Sequence, residues 1–426
     1  MLLDEIDILD LINHLGLTLS SRRSAEICLM DFENSKWEEF ALIKDKHWID
    51  NPQRSQSNNS LVFNKKPSRA ELVKVFQLME QGGGSEPGFI NGESARKRKP
   101  YFKGVNPCGE QWLSDKSFCC LSEIDLSKLN DKTDAEVENI FRLVGRANYR
   151  QTCVNLNDGV LHKSWAEVNS FLHLVGLGIT GIVSWKHCKS EEKFRQLKQW
   201  ASDGIDSMAD ELNLPRSKGK LNIKPSGTLS KIMGTTESET PEGCHFPIGK
   251  FIFNNIRFSR YDCIVEKLRQ ANYFIFDDPY ASDSVLIRIP VCYKNIQFGV
   301  VNGIEVNVET ALEQLQRYKL LMDTFVDNNC SITVSYSPEE VPLIIDWLLE
   351  NWNSYVGVSF MYRNDPSKSA KDLGYPYLPQ ECVTEEVFNS YVSTLKDFDL
   401  DNDDDAEKSF NIDTGISCAG GMCPDK

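Results

Sequence analysis

Asn106-Pro107-Cys108-Gly109-Glu110 is the stretch on which the reading of this chain turns. It sets a thiol between an amide and a carboxylate on a loop constrained by Pro107 and Gly109, so that all three side chains can converge on one small substrate. A second thiol, Cys119, follows eleven residues on. Most cysteines in folded proteins are buried small hydrophobes, and that is the plain reading of Cys120, Cys153, Cys188, Cys244, Cys263, Cys292, Cys330 and Cys382. Cys108 stands apart because its neighbours suit a special turn rather than a packed helix face. Cys418 and Cys423 also stand apart. They lie in Ser417-Cys418-Ala419-Gly420-Gly421-Met422-Cys423-Pro424, after the acidic run Asp401-Asn402-Asp403-Asp404-Asp405. Neither segment has the apolar periodicity of a core element, so a flexible tether carrying two thiols is expected.

Composition bounds what surrounds these motifs. The chain has 426 residues and 41% hydrophobic content, enough for a substantial core in one large domain or two to three ordinary ones. No apolar run approaches bilayer-spanning length, and Met1-Leu2-Leu3-Asp4-Glu5 lacks the basic region of a signal peptide. A soluble, cytoplasmic protein without a membrane partner is expected. Thirteen cysteines in such a chain read as reduced thiols, some of them catalytic. The net charge of −15 opposes a broad nucleic-acid-binding face, though a few backbone amides suffice to hold a nucleotide. There is no C-x2-C pair and the six histidines are scattered, which argues against a structural zinc site.

Along the chain, Leu2, Ile6, Leu9, Ile12 and Leu15 recur at helical spacing, and Leu3, Ile8 and Leu11 widen the apolar surface, as in a helix with much of its circumference buried. A Ser or Thr followed three residues later by Glu marks five helix starts, at Ser68/Glu71, Thr133/Glu136, Ser164/Glu167, Thr310/Glu313 and Ser337/Glu340. Strands are expected at 27–30, 60–63, 118–124, 286–289, 331–335 and 356–360. Strands interleaved with helices predict an α/β fold with a largely parallel sheet. The ordered domain is placed at 1–395, with 396–426 as acidic linker and cysteine tail.

Two further motifs invite a ligand. Gly176-Leu177-Gly178-Ile179-Thr180-Gly181 has the spacing of a dinucleotide fingerprint, with Asp203 at the distance of a ribose contact, but the preceding 165–175 reads as helix where a strand is required. Lys224-Pro225-Ser226-Gly227-Thr228-Leu229-Ser230 can open a helix whose hydroxyls and backbone amides suit phosphate; an ordinary capped turn is the competing reading.

Taken together, these segments resemble the large catalytic subunit of ribonucleotide reductases, most closely the adenosylcobalamin-dependent class II ribonucleoside-triphosphate reductases. The matching pieces are Arg22-Arg23-Ser24-Ala25, Glu86 to Asn91, Asn106 to Glu110, Phe118-Cys119, Gly176 to Gly181, Pro225 to Ser230, Asn329 to Val334, Gly357 to Phe360 and the Cys418/Cys423 pair, in family order. The resemblance implies a ten-stranded α/β barrel with Cys108 on the loop entering its centre. It implies that Cys108 becomes a thiyl radical and removes the ribose 3′ hydrogen, that Glu110 takes the 3′-OH proton, and that Asn106 holds the substrate. Cys119 matches one member of the active-site dithiol. Cys418 and Cys423 would re-reduce the disulfide left there and be reduced in turn by a thioredoxin-type protein. Ser226, Gly227, Thr228, Leu229 and Ser230 would bind the phosphates of the ribonucleotide substrate.

The chain also departs from the family. The other dithiol cysteine belongs on the first barrel strand, well upstream of the Arg-Arg-Ser-Ala segment, and only 21 residues precede Arg22. Cys28 lies downstream of that segment and does not inherit the role. The N-terminal helical region and the segments of the allosteric specificity site are missing as well. The expectation is therefore an incomplete barrel, the C-terminal piece of a split reductase that needs an N-terminal reductase fragment as partner; a truncated reading of a longer gene is the alternative. Class I enzymes relay a radical from a ferritin-like subunit through a Tyr-Tyr pair after the last barrel strand. Here Met361-Tyr362-Arg363 supplies one Tyr, which favours adenosylcobalamin. The competing readings are an inactive reductase-fold partner, a class I-like subunit with a ferritin-like radical generator, and a cysteine-based thiol oxidoreductase.

Overall fold

Strand alternation explains how this chain surrounds a polar site with an apolar shell. A computed structural model describes residues 3–18, 26–235, 238–279 and 281–398. Arg22 to Ala25, Cys418 and Cys423 lie outside the described residues. Strands β1 (Glu26–Asp31), β2 (Ser57–Phe63) and β3 (Gly88–Asn91) run parallel in chain order. A short hairpin of β4 (Gly104–Val105) and β5 (Trp112–Leu113) follows, then the parallel pair β6 (Cys120–Asp125) and β7 (Val175–Thr180). Next come β8 (Phe251–Ser259), β9 (Ile275–Asp277) and β10 (Ser284–Cys292), and the ribbon β11 (Gly299–Val301) and β12 (Ile304–Val306). The last strands are β13 (Thr333–Tyr336), β14 (Gly357–Tyr362) and β15 (Gln380–Cys382).

The main sheet has the order β1-β2-β3-β14-β13, parallel throughout except at the antiparallel β3–β14 seam. Isolated bridges Ile223↔Cys330 and Leu177↔Leu221 carry the pairing from the lead-in to β13, through residues 221–223, to β7 and β6. Two parallel groups thus meet head to tail in an array whose ends, among the described residues, are β1 and β6. The architecture is α/β, and among the described residues the strand array is not closed on itself. The hairpin β4–β5 sits inside it, because both Asn58 on β2 and Ser331 just before β13 bond its tip.

Paired residues on neighbouring strands share a face. Asn58 lies opposite Ile27, Ser60 opposite Gly88, and Ser359 opposite Thr333, so the inner face of β2, β3, β13 and β14 carries small or polar residues at these positions, while β1 turns Ile27 and Leu29 to that side. The outer face carries Phe63, Phe89, Phe360 and Tyr336, which cluster with Phe76 of the helix Arg69–Gln81 at centroid distances of 5.3–6.0 Å. Each ring is buried and stabilises the fold by about 1.5–3 kcal/mol.

The capping boxes form at Ser68/Glu71, Thr133/Glu136 and Thr310/Glu313, which start the helices Arg69–Gln81, Asp134–Gln151 and Ala311–Thr324. At Ser337/Glu340 the box caps a short 3-10 turn that leads into the helix Val341–Glu350. Ser164 behaves differently. It is the first residue of the helix Ser164–Leu172, and its hydroxyl bonds His162 rather than capping the turn. That helix ends at Leu172, with His173 left-handed at φ 40, so the expected 165–175 helix is three residues too long. The strand expected at 118–124 begins at Cys120, and the one at 331–335 runs Thr333–Tyr336.

Two elements depart further from expectation. The first helix, Glu5–Thr18, buries Leu9 and Asn13 and is fixed by Arg54 to Asp10, but Ile8, Leu11, Ile12 and Leu15 remain exposed. The predicted burial around its circumference is not met by the described residues. A separate antiparallel sheet of order β15-β8-β10-β9 was legible only at β10. Helices Cys263–Gln270 and Glu385–Val392 cover it, the second through Phe388 against Phe251 and Phe253.

Candidate active site

The turn 106–111 closes the β4–β5 hairpin, and its backbone is held at almost every residue. Asn106 N–H donates to the Gln111 carbonyl at 3.1 Å and Gly109 N–H to the Asn106 carbonyl at 2.8 Å. The Asn106 Oδ1 accepts from the Gln111 N–H at 2.9 Å. Gly109 has φ 78, a left-handed conformation that a side chain would strain, so glycine after the cysteine is a requirement of the turn.

Braces reach this tip from both parallel groups. Asn58 Nδ2 donates to the Pro107 carbonyl at 2.8 Å, and Ser331 Oγ donates to the Cys108 carbonyl at 2.7 Å. Asn329 donates twice, from Nδ2 to the Gly109 carbonyl at 3.0 Å and from its N–H to the Glu110 carbonyl at 3.0 Å. Asn329 is itself fixed by the Tyr318 hydroxyl, which donates to its Oδ1 at 2.8 Å. Backbone carbonyls absorb these bonds, and the Cys108 side chain is left exposed on a braced tip.

Glu110 is 2% exposed, and its Oε2 has no hydrogen-bond partner. Burial raises its pKa above the ordinary carboxylate range, while the nearby Asn106 amide and Lys224 pull the other way. Cys119 lies close enough to Glu110 to feel its charge. Burial, with Glu110 and Cys120 nearby, pushes this thiol up to about 12, so it stays protonated at neutral pH. Beneath the turn, Gln111 Oε1 accepts from Asn222 Nδ2 at 2.9 Å, and both residues are fully buried.

The 224–230 segment adjoins this centre. Gly227 has φ 45 and opens the short helix Thr228–Met233; Ser226 also has positive φ, at 70. Ser226 Oγ donates to Glu123 Oε1 at 2.5 Å, and Ser230 Oγ to the Gly227 carbonyl at 2.7 Å. Lys224 Nζ stands 3.6 Å from Glu123, whose side chain is closed to solvent. Burial pushes Glu123 up to about 7 against the opposing effects of Lys224 and Ser226, with Asp125 adding to the rise. Lys224 thus links the segment to both Glu110 and Glu123.

Asn106, Cys108, Glu110 and Cys119 are brought together, and the 224–230 segment is placed beside them through Lys224. Gly176 to Gly181 lies mainly within β7 itself instead of following a strand, and Asp203 ion-pairs with Arg142 at 2.8 Å. Cys28 alternates with Ile27 and Leu29, the residues on the hairpin side of β1, and so lies on the opposite face from Cys108. Sequence reasoning missed Asn58, Asn329 and Ser331 as braces, although the last two lie in a segment it had singled out. It also missed Tyr336, whose ring packs 5.0 Å from Tyr362 across β13 and β14.

The fold recurs in solved structures of other proteins. The crystal structure of a B-12 dependent, class II ribonucleotide reductase matches 92% of this chain and 57% of its own, with a TM-score of 0.75 at 18% identity. A probable adenosylcobalamin-dependent ribonucleoside-triphosphate reductase of Dictyostelium discoideum is 28% identical over 427 residues, covering 92% of this chain and 51% of that protein. The chain is related to ribonucleotide reductase catalytic chains. The adenosylcobalamin-dependent ribonucleoside-triphosphate reductase of Euglena gracilis is 26% identical over 92% of this reductase-like chain and 52% of its own length. An Actinobacillus ureae class Id ribonucleotide reductase alpha subunit shares the fold more distantly, with a TM-score of 0.56. The chain spans about half the length of the first of these curated relatives. No protein-family model matches it.

Proposed function

We propose that this chain carries the radical centre of a ribonucleotide reductase and acts together with an N-terminal reductase portion. The observation that carries the proposal is Cys108, held exposed on a tip braced from both halves of the array, two residues before the buried acid Glu110. Oxidised to a thiyl radical, Cys108 removes the 3′ hydrogen of the ribose. Glu110 takes the 3′-OH proton as the 2′-OH leaves as water; its raised pKa makes it a stronger base once ionised. Asn106 orients the ribose hydroxyls. Cys119, kept as a thiol, supplies one of the two reducing equivalents. Cys418 and Cys423 renew the dithiol by exchange and are themselves reduced by a thioredoxin-type protein, chemistry that suits the reducing cytoplasm. Ser226, Gly227, Thr228, Leu229 and Ser230, with Lys224, receive the phosphates.

Adenosylcobalamin, named for the relatives, would supply the radical that oxidises Cys108. The exposed thiol on a rigid tip fits approach by a bulky group from outside the hairpin. Tyr336 beside Tyr362 gives the class I-like reading one observation of its own. Tyr336 lies five residues beyond Ser331, however, on the order of 15 Å along an extended strand from the Cys108 brace.

The test is deoxyribonucleotide formation by residues 1–426 mixed with the N-terminal portion of an adenosylcobalamin-dependent relative, with and without the cofactor. Cofactor-dependent product from the pair and none from either alone is expected. Cys108→Ser should abolish it while leaving the unfolding midpoint unchanged. Appreciable turnover by that variant would refute the radical assignment, and robust turnover by 1–426 alone would refute the need for a partner.

A further inference from the structure

Cys244 and Cys330 are 86 residues apart in the chain, both fully buried, and their sulfurs lie 3.5 Å apart. Neither belongs to the machinery above. Two buried thiols in contact can be simple packing, but the surroundings here are polar and directional. The Arg317 guanidinium donates from Nε to the Cys244 carbonyl at 2.7 Å, and the same guanidinium is held by Glu309. His245 follows Cys244, and its Nε2 accepts from the Thr333 N–H at 3.1 Å. The Cys330 thiol hydrogen-bonds the Cys244 sulfur, and nearby His245 and Arg317 also favour negative charge on it, so Cys244 is held below the ordinary thiol range while burial beside that sulfur raises Cys330. Two sulfurs in contact, with ionisation favoured at Cys244 over Cys330, form the asymmetric pair that dithiol redox chemistry uses.

Its position gives the pair a consequence. Cys330 precedes Ser331, whose hydroxyl holds the Cys108 carbonyl, and follows Asn329, which holds Gly109 and Glu110. The Cys244 sulfur also lies 3.7 Å from the Ser331 carbonyl. We propose that Cys244 and Cys330 are a redox-closable pair that shifts the 329–331 brace of the Cys108 turn when it forms a disulfide. An S–S bond is about 2.05 Å long, so closure draws the sulfurs together by roughly 1.5 Å. With hydrogen peroxide as oxidant, the Cys244 thiolate attacks a peroxide oxygen; the O–O bond breaks, hydroxide leaves, and Cys244 becomes a sulfenic acid. The Cys330 sulfur then attacks Cys244, the S–S bond forms, the S–O bond breaks, and the leaving hydroxide takes up the thiol proton. The hydroxide released in the first step takes up the proton that Cys244 gave up on ionising, so in sum two thiols and one peroxide give a disulfide and two waters. Peroxide is close to water in size and reaches the pair through local opening. A dithiol reductant reverses the step.

The proposal is independent of the nucleotide chemistry, and so is its test. Reduced protein of residues 1–426 is treated with hydrogen peroxide, alkylated after unfolding, and mapped by non-reducing digestion and mass spectrometry. A peptide linking Cys244 to Cys330, lost on dithiothreitol treatment, is expected. In Cys330→Ser, dimedone should trap Cys244 as its sulfenic acid adduct, whereas Cys244→Ser should give no adduct at Cys330. If either variant fails to fold, the wild-type map still decides. Full alkylation of both residues under conditions that oxidise exposed Cys108, Cys153 and Cys263 would overturn the pair. Deuterium exchange decides the coupling. A several-fold change at 106–111 in the oxidised form is expected, and unchanged exchange there would overturn it.

Discussion

Ser331 donates its hydroxyl to the carbonyl oxygen of Cys108 at 2.7 Å, across 223 residues of sequence. The bond acts on the backbone of Cys108 and not on its side chain. Ser331→Ala removes one hydrogen bond at an exposed position, at a cost of about 0.5–1.5 kcal/mol. The expected result is a small loss of stability in urea unfolding with a larger, several-fold gain in the alkylation rate of Cys108. An unchanged alkylation rate would show that Asn58 and Asn329 suffice to hold the turn.

Asn329 is the more expensive residue to lose. It is buried, donates to the Gly109 and Gly357 carbonyls, and accepts from the Tyr318 hydroxyl. Asn329→Ala leaves those partners unsatisfied, each at about 1–3 kcal/mol before relaxation, so a total loss near 3–5 kcal/mol is expected. Thermal unfolding with circular dichroism measures it, and a loss under about 1 kcal/mol would mean that water replaces the amide.

Glu123 should make stability depend on pH. Its pKa in the fold, about 7, lies above the ordinary 4.5, so folding binds a proton between those values. Stability from this group is therefore greatest at the acid end of the window and falls as pH rises through it, by up to ~3 kcal/mol. Glu123→Gln keeps an acceptor for Ser226 and removes the titration. Urea unfolding at pH 5 and pH 7.5 should show the wild type losing more than the variant; equal slopes would place the Glu123 pKa near its usual value.

The tail thiols fall outside the described residues, and their role is read kinetically. Cys418→Ser with Cys423→Ser should limit the complemented enzyme to roughly one product per active site when thioredoxin is the reductant. Dithiothreitol, which can enter the site directly, should partly restore turnover. Repeated turnover with thioredoxin would remove the tail from the cycle.

Much of this arrangement could be read from local signals, and what escaped did so for identifiable reasons. Thr133/Glu136 announces its helix because both halves of a capping box lie three residues apart. The long helix Glu191–Glu211 was missed because Ser190 caps it with Lys193 in place of Glu, although Phe194, Leu197, Ala201, Ile205 and Met208 carry the helical period. Pro107 and Gly109 mark the turn that presents Cys108, since their conformational demands are local. Asn58 carries no such mark. Its role exists only because β2 places its inner face against a hairpin formed some fifty residues later. Glu123 escaped for the same reason: its partners Lys224 and Ser226 reach it through the fold, and its raised pKa is a property of burial.

The double bracing of the 106–111 turn also orders events in time. Asn58 leaves the ribosome before Cys108, but Ser331 and Asn329 emerge more than two hundred residues after it. At about 5–20 residues per second, roughly 10–45 s separate synthesis of the thiol from synthesis of its last supports. During that interval the nascent chain holds Cys108 by one side only, so the turn reaches its final bracing only with the strands that close the seam.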